Sequence, residues 1–137
     1  MPICTEKSFL EAVAHELRRA ERYRIFISLV TIDLGELLGS LGQAAESSDK
    51  MLTAVSDNLR AIDQVAMLEG GRLAMLLPET SRQGAQAASQ RITALLREAH
   101  TAGDQPDLLP CETVSYPDAA GTRTITDFMK DLTTLAI

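Results

Sequence analysis

LRAIDQVAMLEGGRLAMLLPET, residues Leu59 to Thr80, holds two apolar runs, the turn between them and the signals that bound them on either side. Residues 65–68 form a short apolar run, Glu69-Gly70-Gly71 supplies a turn rich in the residue that accepts positive φ, and residues 73–77 form a second run closed by Pro78. Apolar runs on both sides of a glycine turn predict a β-hairpin. Beyond it, Pro78-Glu79-Thr80-Ser81 stops the strand and offers hydroxyls to cap a following helix. Upstream, Met51, Leu52, Val55 and Leu59 recur at helical spacing. Arg60-Ala61-Ile62-Asp63 is therefore predicted to be the last turn of a helix over about 49–61.

Working outward, residues 6–23 carry Phe9, Val13, Leu17 and Ala20 on one stripe with charges elsewhere, which predicts an amphipathic helix. Residues 24–33 are β-rich and nearly continuously apolar, as a central strand covered on both faces would be. A third helix is expected over 82–100 with Ala85, Ala88, Ile92 and Leu95 inward, and TAGDQPD after it reads as a loop. Residues 108–114 are a strand candidate that Pro110 restricts to an edge or bulge. A last helix over 125–135 brings Phe128, Leu132 and Leu135 together. The order is βαββαβ with an extra helix at each end. It predicts an α+β, ferredoxin-like sandwich with helices packed on a mostly antiparallel sheet.

A chain of 137 residues is long enough for one domain, taken as residues 1–137, with a single core. Thirteen Lys and Arg against 19 Asp and Glu give a net charge of −6, so there is no uniform positive field for nucleic acid. Aromatics at 4% leave few exposed rings for base stacking. The most apolar run, near Ile25 to Val30, is broken by Ser28 and too short to span a bilayer, and no charged-then-apolar leader follows Met1. The expectation is a cytoplasmic protein with no membrane and no nucleic-acid partner. Cys4 and Cys111 lack CxxC or CxxH company and are expected to be reduced, packed thiols. His15 and His100 have no partner motif, and no cofactor is expected.

A helix ending in RxxD, a strand, a two-glycine turn and a strand running into LLPET resemble the GGDEF domain, the bacterial module that makes cyclic di-GMP from two GTP. The resemblance runs from about Phe9 to the last residue and includes ELRRAERY, SLVTIDLG and SYPDAAGTRT. It implies the same βαββαβ core, and it implies a degenerate member. Joining two nucleotides needs metal ions held by carboxylates. The resemblance implies one carboxylate at the end of the first strand, where Asp33 stands, and another at the third position of the signature. That signature reads Glu69-Gly70-Gly71-Arg72-Leu73, which puts Gly71 at the metal position and Arg72 after it. Glu69 lies two residues away, roughly 6–7 Å along a strand, too far for a contact of roughly 2 Å. Substrate positions implied by the family correspond to Leu38, Leu41 and Gly42, Pro110-Cys111-Glu112 replaces its Ser-Ile-Gly, and Asp49 matches an aspartate implied to contact guanine or serves as a helix cap. The chain is therefore expected not to be an enzyme.

Many family members also carry an inhibitory cyclic di-GMP site built on an RxxD upstream of the signature. Arg60-Ala61-Ile62-Asp63 matches it, with five residues between Asp63 and Glu69, and Arg91 stands where a further arginine is implied. A guanidinium fork can bond guanine O6 and N7, a carboxylate can accept from the guanine N–H edge, and a second arginine can meet a phosphate. The same residues also read as an Arg complementing a helix end, an Asp favouring a turn, and a surface ion pair between them. The expected ligand set is Arg60, Asp63 and Arg91 with cyclic di-GMP as ligand. The alternative is a protein-interaction or homodimerisation module that binds no nucleotide.

Overall fold

A computed structural model of the chain describes residues 3–34, 44–68, 71–99, 111–117 and Ile125. Helix α1 spans Glu6–Tyr23. Its first turn is closed by Thr5, whose side chain accepts the Ser8 N–H at 3.1 Å, and Arg24 ends it in the left-handed region with φ 54°. Phe9, Val13 and Ala20 are the buried stripe expected of an amphipathic helix, with Leu17 partly buried beside them.

Strand β1, Ile27–Asp33, is central, as its apolar composition predicts. It pairs antiparallel with β3, Arg72–Pro78, on one side and with β4, Cys111–Tyr116, on the other. Strand β2, Gln64–Leu68, pairs antiparallel with β3 and completes the sheet order β2-β3-β1-β4. Helix α2, Ala44–Ser56, joins β1 to β2, and helix α3, Arg82–Ala99, joins β3 to β4. This is the βαββαβ order of an α+β fold on an antiparallel sheet. The outer edge of β2 meets the chain start: Ile3 bridges to Val65, and the Cys4 N–H donates to the Val65 carbonyl at 3.0 Å.

Strand alternation sorts the core into two layers. Val30, Ile32, Leu73, Met75 and Leu77 face Met51 and Val55 of α2 and Ala85, Ala88, Ile92 and Leu96 of α3. Ile27, Leu29, Ala66, Ala74, Leu76 and Val114 face Phe9, Val13 and Ala20 of α1, with Ile125 in the same cluster.

Four expectations are corrected. Helix α2 starts and ends five residues before the predicted span, so Arg60 to Asp63 is not a helical turn. Asp57 and Asn58 are poor helix residues, and the last N–H groups make tightened i→i−3 bonds, Asn58 to Val55 and Leu59 to Ser56. Asp49 therefore lies inside the helix and is not its cap. Strand β4 runs two residues past the predicted end, to Tyr116. Leu95 does pack against the core, partly buried, and Leu96 beside it is fully buried. Cys4 and Cys111 are both free thiols, but Cys111 is exposed on β4 rather than packed, with Sγ 2.9 Å from the Ser89 hydroxyl. Leu38, Leu41, Gly42, Glu69, Gly70, His100, Pro110, Phe128, Leu132 and Leu135 lie outside the described residues. Among the described residues, no helix is long and apolar enough to cross a membrane.

Candidate ligand-binding site

The two ends of β3 carry the two groups of residues that the sequence singles out. Six residue steps separate Arg72 from Pro78, which in an extended strand is about 20 Å.

At the hairpin end, Gly71 has φ 76°, a conformation that favours glycine over any residue with a carboxylate side chain. The Leu34 N–H donates to the Gly71 carbonyl at 2.9 Å, which ties the end of β1 to the turn. Asp33 is the register partner of Arg72. Directly opposed residues of an antiparallel pair project from the same face of the sheet, so the strand-end carboxylate has a guanidinium as its cross-strand neighbour. Among the described residues at this end, the pairing of the Asp33 carboxylate with the fixed positive charge of Arg72 suits a magnesium ion poorly. Among the described residues, no three His, Cys, Asp or Glu side chains are gathered as a metal cage.

At the opposite end, the turn between α2 and β2 is closed reciprocally. The Asp63 N–H donates to the Arg60 carbonyl at 3.0 Å, and the Asp63 carboxylate accepts the Arg60 N–H at 2.9 Å. Local side-chain bonds of this kind offer the backbone an alternative to continuing the helix. The Arg60 guanidinium then lies against the same carboxylate, with Nε 3.1 and 3.2 Å and Nη2 2.8 Å from its oxygens. The Asp63 side chain is 4% exposed and that of Arg60 52%, so the pair has a dry end and a wet end. The hydrogen bond to Asp63 pushes the guanidinium above its ordinary pKa, with Coulombic help from Asp63 and Glu79 against a smaller desolvation effect than the bond itself.

Nη2 has two further acceptors, the Pro78 carbonyl at 3.0 Å and the Thr80 hydroxyl at 2.7 Å. The bonded nitrogens are thus Nε and Nη2, and a ligand would reach the fork through Nη1. Arg91, exposed on α3, extends Nη2 to the Asn58 carbonyl at 3.5 Å, in the turn that leads to Arg60. All three expected residues therefore gather at one turn, although Asp63 is buried beneath Arg60 rather than open to solvent. Thr80 and the Pro78 carbonyl were not singled out in the sequence. The signal was there in Pro78-Glu79-Thr80, whose hydroxyl reads equally well as a helix cap.

No protein-family model matches the sequence, and no curated protein matches it. Solved structures do. The active GGEEF domain of a diguanylate cyclase from Vibrio cholerae superposes with a TM-score of 0.70 at 17% identity, over 90% of this chain and 82% of that one. The chain has the GGDEF-domain fold. The diguanylate cyclase SiaD from Pseudomonas aeruginosa, solved with its activator SiaC, gives 0.65 at 17% identity over 96% of this chain and 55% of that one. The GGDEF domain of DgcB from Caulobacter crescentus, solved with cyclic di-GMP, gives 0.60 at 12% identity over 82% and 70%. At these identities the likeness is one of fold, and the GGDEF architecture says nothing by itself about which of its chemistries this chain retains.

Proposed function

We propose that this GGDEF-fold domain is catalytically inactive and acts as a cyclic di-GMP receptor or regulator through Arg60, Asp63 and Arg91. One observation carries the reading: two arginines from different elements, Arg60 after α2 and Arg91 on α3, converge on the turn that holds Asp63. A guanine acceptor would meet Arg60 through Nη1, and a phosphate would meet Arg91 as a charge-assisted acceptor. The opposite end supports the absence of catalysis, because Arg72 stands beside Asp33 and glycine occupies position 71 in a positive-φ turn. Cyclic di-GMP is also the ligand in the Caulobacter structure.

Isothermal titration of wild type and Arg91→Ala with cyclic di-GMP tests the proposal. Saturable binding by wild type, weakened in the variant, is expected, together with no product from GTP and magnesium. Absence of saturable heat with wild type overturns it.

The burial of the Asp63 carboxylate beneath Arg60 favours a second reading, a protein-interaction or dimerisation module that keeps the RxxD turn as a structural lock. The expected signature is a melting temperature that neither cyclic di-GMP nor GTP moves, with self-association or capture of a protein partner independent of both.

A further inference from the structure

The Thr80 hydroxyl is a third acceptor on Arg60 Nη2, and three independent contacts fix where that hydroxyl points. Its proton goes to the Pro78 carbonyl at 2.9 Å, so towards Arg60 the oxygen presents a lone pair, the polarity a guanidinium N–H requires. Its backbone carbonyl accepts the hydroxyl of Ser28, a fully buried residue of the central strand, at 2.8 Å. That uses the single Ser28 proton, so the Ser115 hydroxyl, 2.8 Å away on β4, donates to Ser28 and completes a directed buried relay. The Thr80 methyl rests where Gly84 has no side chain: a Cβ there would come within 3.1 Å of it. The adjoining Glu79 holds φ 52°, which turns the chain sharply between Pro78 and Thr80.

The ordinary role for a hydroxyl just before a helix is capping, and here Ser81 takes it. The Gly84 N–H donates to Ser81 Oγ at 3.3 Å, and the Ala85 N–H donates to the Ser81 carbonyl at 2.9 Å. Thr80 is therefore released from the helix terminus and turned towards the RxxD pair. Without it, Arg60 keeps its bonds to Asp63, but the outer edge of a half-exposed guanidinium loses the shorter of the two acceptors that pin it at the end of β3 and is left with the Pro78 carbonyl alone.

We infer that Thr80 is the positioning residue for Arg60, holding the guanidinium plane in one pose through its hydroxyl while the Ser28 and Ser115 hydroxyls anchor its backbone. In its bearing on ligand affinity the inference rests on the proposed cyclic di-GMP site; in its bearing on Arg60 itself it does not. The test therefore has a ligand-free arm and a ligand arm, with Thr80→Val removing the hydroxyl at nearly constant shape and Thr80→Ser keeping it. In NMR spectra of the ligand-free protein, the Arg60 Nη protons give separate, slowly exchanging signals in wild type and Thr80→Ser, and coalesce in Thr80→Val. In titrations, Thr80→Val binds cyclic di-GMP about tenfold more weakly than wild type, the scale of one hydrogen bond to a charged group, and Thr80→Ser stays within about threefold. Unchanged Arg60 signals in Thr80→Val overturn the inference, as does unchanged affinity in that variant. If wild type binds no cyclic di-GMP, the proposed function fails while the NMR arm still decides whether Thr80 holds Arg60.

Discussion

Replacing Arg60 by alanine isolates what the RxxD pair contributes to folding. The buried Asp63 carboxylate takes a backbone N–H, Nε and Nη2 from this one residue, at 2.9, 3.1 and 2.8 Å. Alanine keeps the first donor and removes the other two, which leaves a buried negative charge without its counter-ion. Removing one member of a buried pair costs about 3–5 kcal/mol. Water screens the half of the Arg60 side chain that is exposed, and this lowers the expectation to about 2 kcal/mol. At about 3–4 °C per kcal/mol for a domain of this size, the melting temperature falls by roughly 6–8 °C. Asp63→Ala removes the same bonds but leaves a guanidinium that water can reach and that keeps Pro78 and Thr80, so its cost is lower, about 1 kcal/mol. The double variant contains no stranded charge and is expected to be more stable than the sum of the single effects implies, by about 1–2 kcal/mol. Urea and thermal unfolding of the four proteins at one pH and salt concentration measure this coupling. Additivity to within about 0.5 kcal/mol refutes the claim that the pair acts as one buried unit.

Arg91→Ala removes an exposed side chain whose bond to Asn58 is long, so stability is expected to stay within about 0.5 kcal/mol while cyclic di-GMP affinity drops about tenfold, read by unfolding and calorimetry respectively. Gly71→Glu restores a carboxylate at the hairpin but forces a side chain onto φ 76°, so it costs about 1–2 kcal/mol in urea denaturation and yields no magnesium-dependent GTP turnover. Iodoacetamide labelling followed by peptide mass spectrometry is expected to modify exposed Cys111 well before Cys4, whose thiol is pushed up by burial. Because the folded Cys4 pKa lies above the unfolded one, its contribution is intact below the ordinary thiol pKa and is lost as pH rises through the folded one. Cys4→Ala is expected to remove this alkaline loss of stability in pH-resolved melts.

The elements that were legible in the sequence are those whose periodicity is uninterrupted. Phe9, Val13 and Ala20 mark α1 to the residue, and the two apolar runs around the glycines mark β2 and β3. Helix α2 was misplaced because Leu59 continues its apolar spacing: Leu59 does pack against the core, but from a turn beyond the helix end. Periodicity reports burial, and the competition between the Asp63 side chain and the helix for the Arg60 N–H is a separate, local matter. The exposure of Cys111 was illegible for a related reason, since at the first residue of an edge strand nothing in the pattern says where cover ends.

Within the site, the closeness of Arg60 and Asp63 survives the error about the helix, because residues three apart meet in a helical turn and in a tight turn alike. The depth at which they meet does not follow from spacing. Asp63 is buried because β2 begins at the next residue and carries it beneath the guanidinium. Thr80 depends on a still less local choice, since either it or Ser81 can cap α3, and contacts from Ser28 in the central strand and from the Pro78 carbonyl hold the Thr80 hydroxyl away from the helix. The two ends of β3 are far enough apart for their substitutions to act independently, because effects more than about 7–10 Å apart usually add. Arg72 beside Asp33 therefore leaves the energetics of the Arg60 turn untouched. A GGDEF-fold domain built this way can carry an arginine opposite the strand-end carboxylate at one end of β3 and hold a guanidinium against a buried carboxylate at the other.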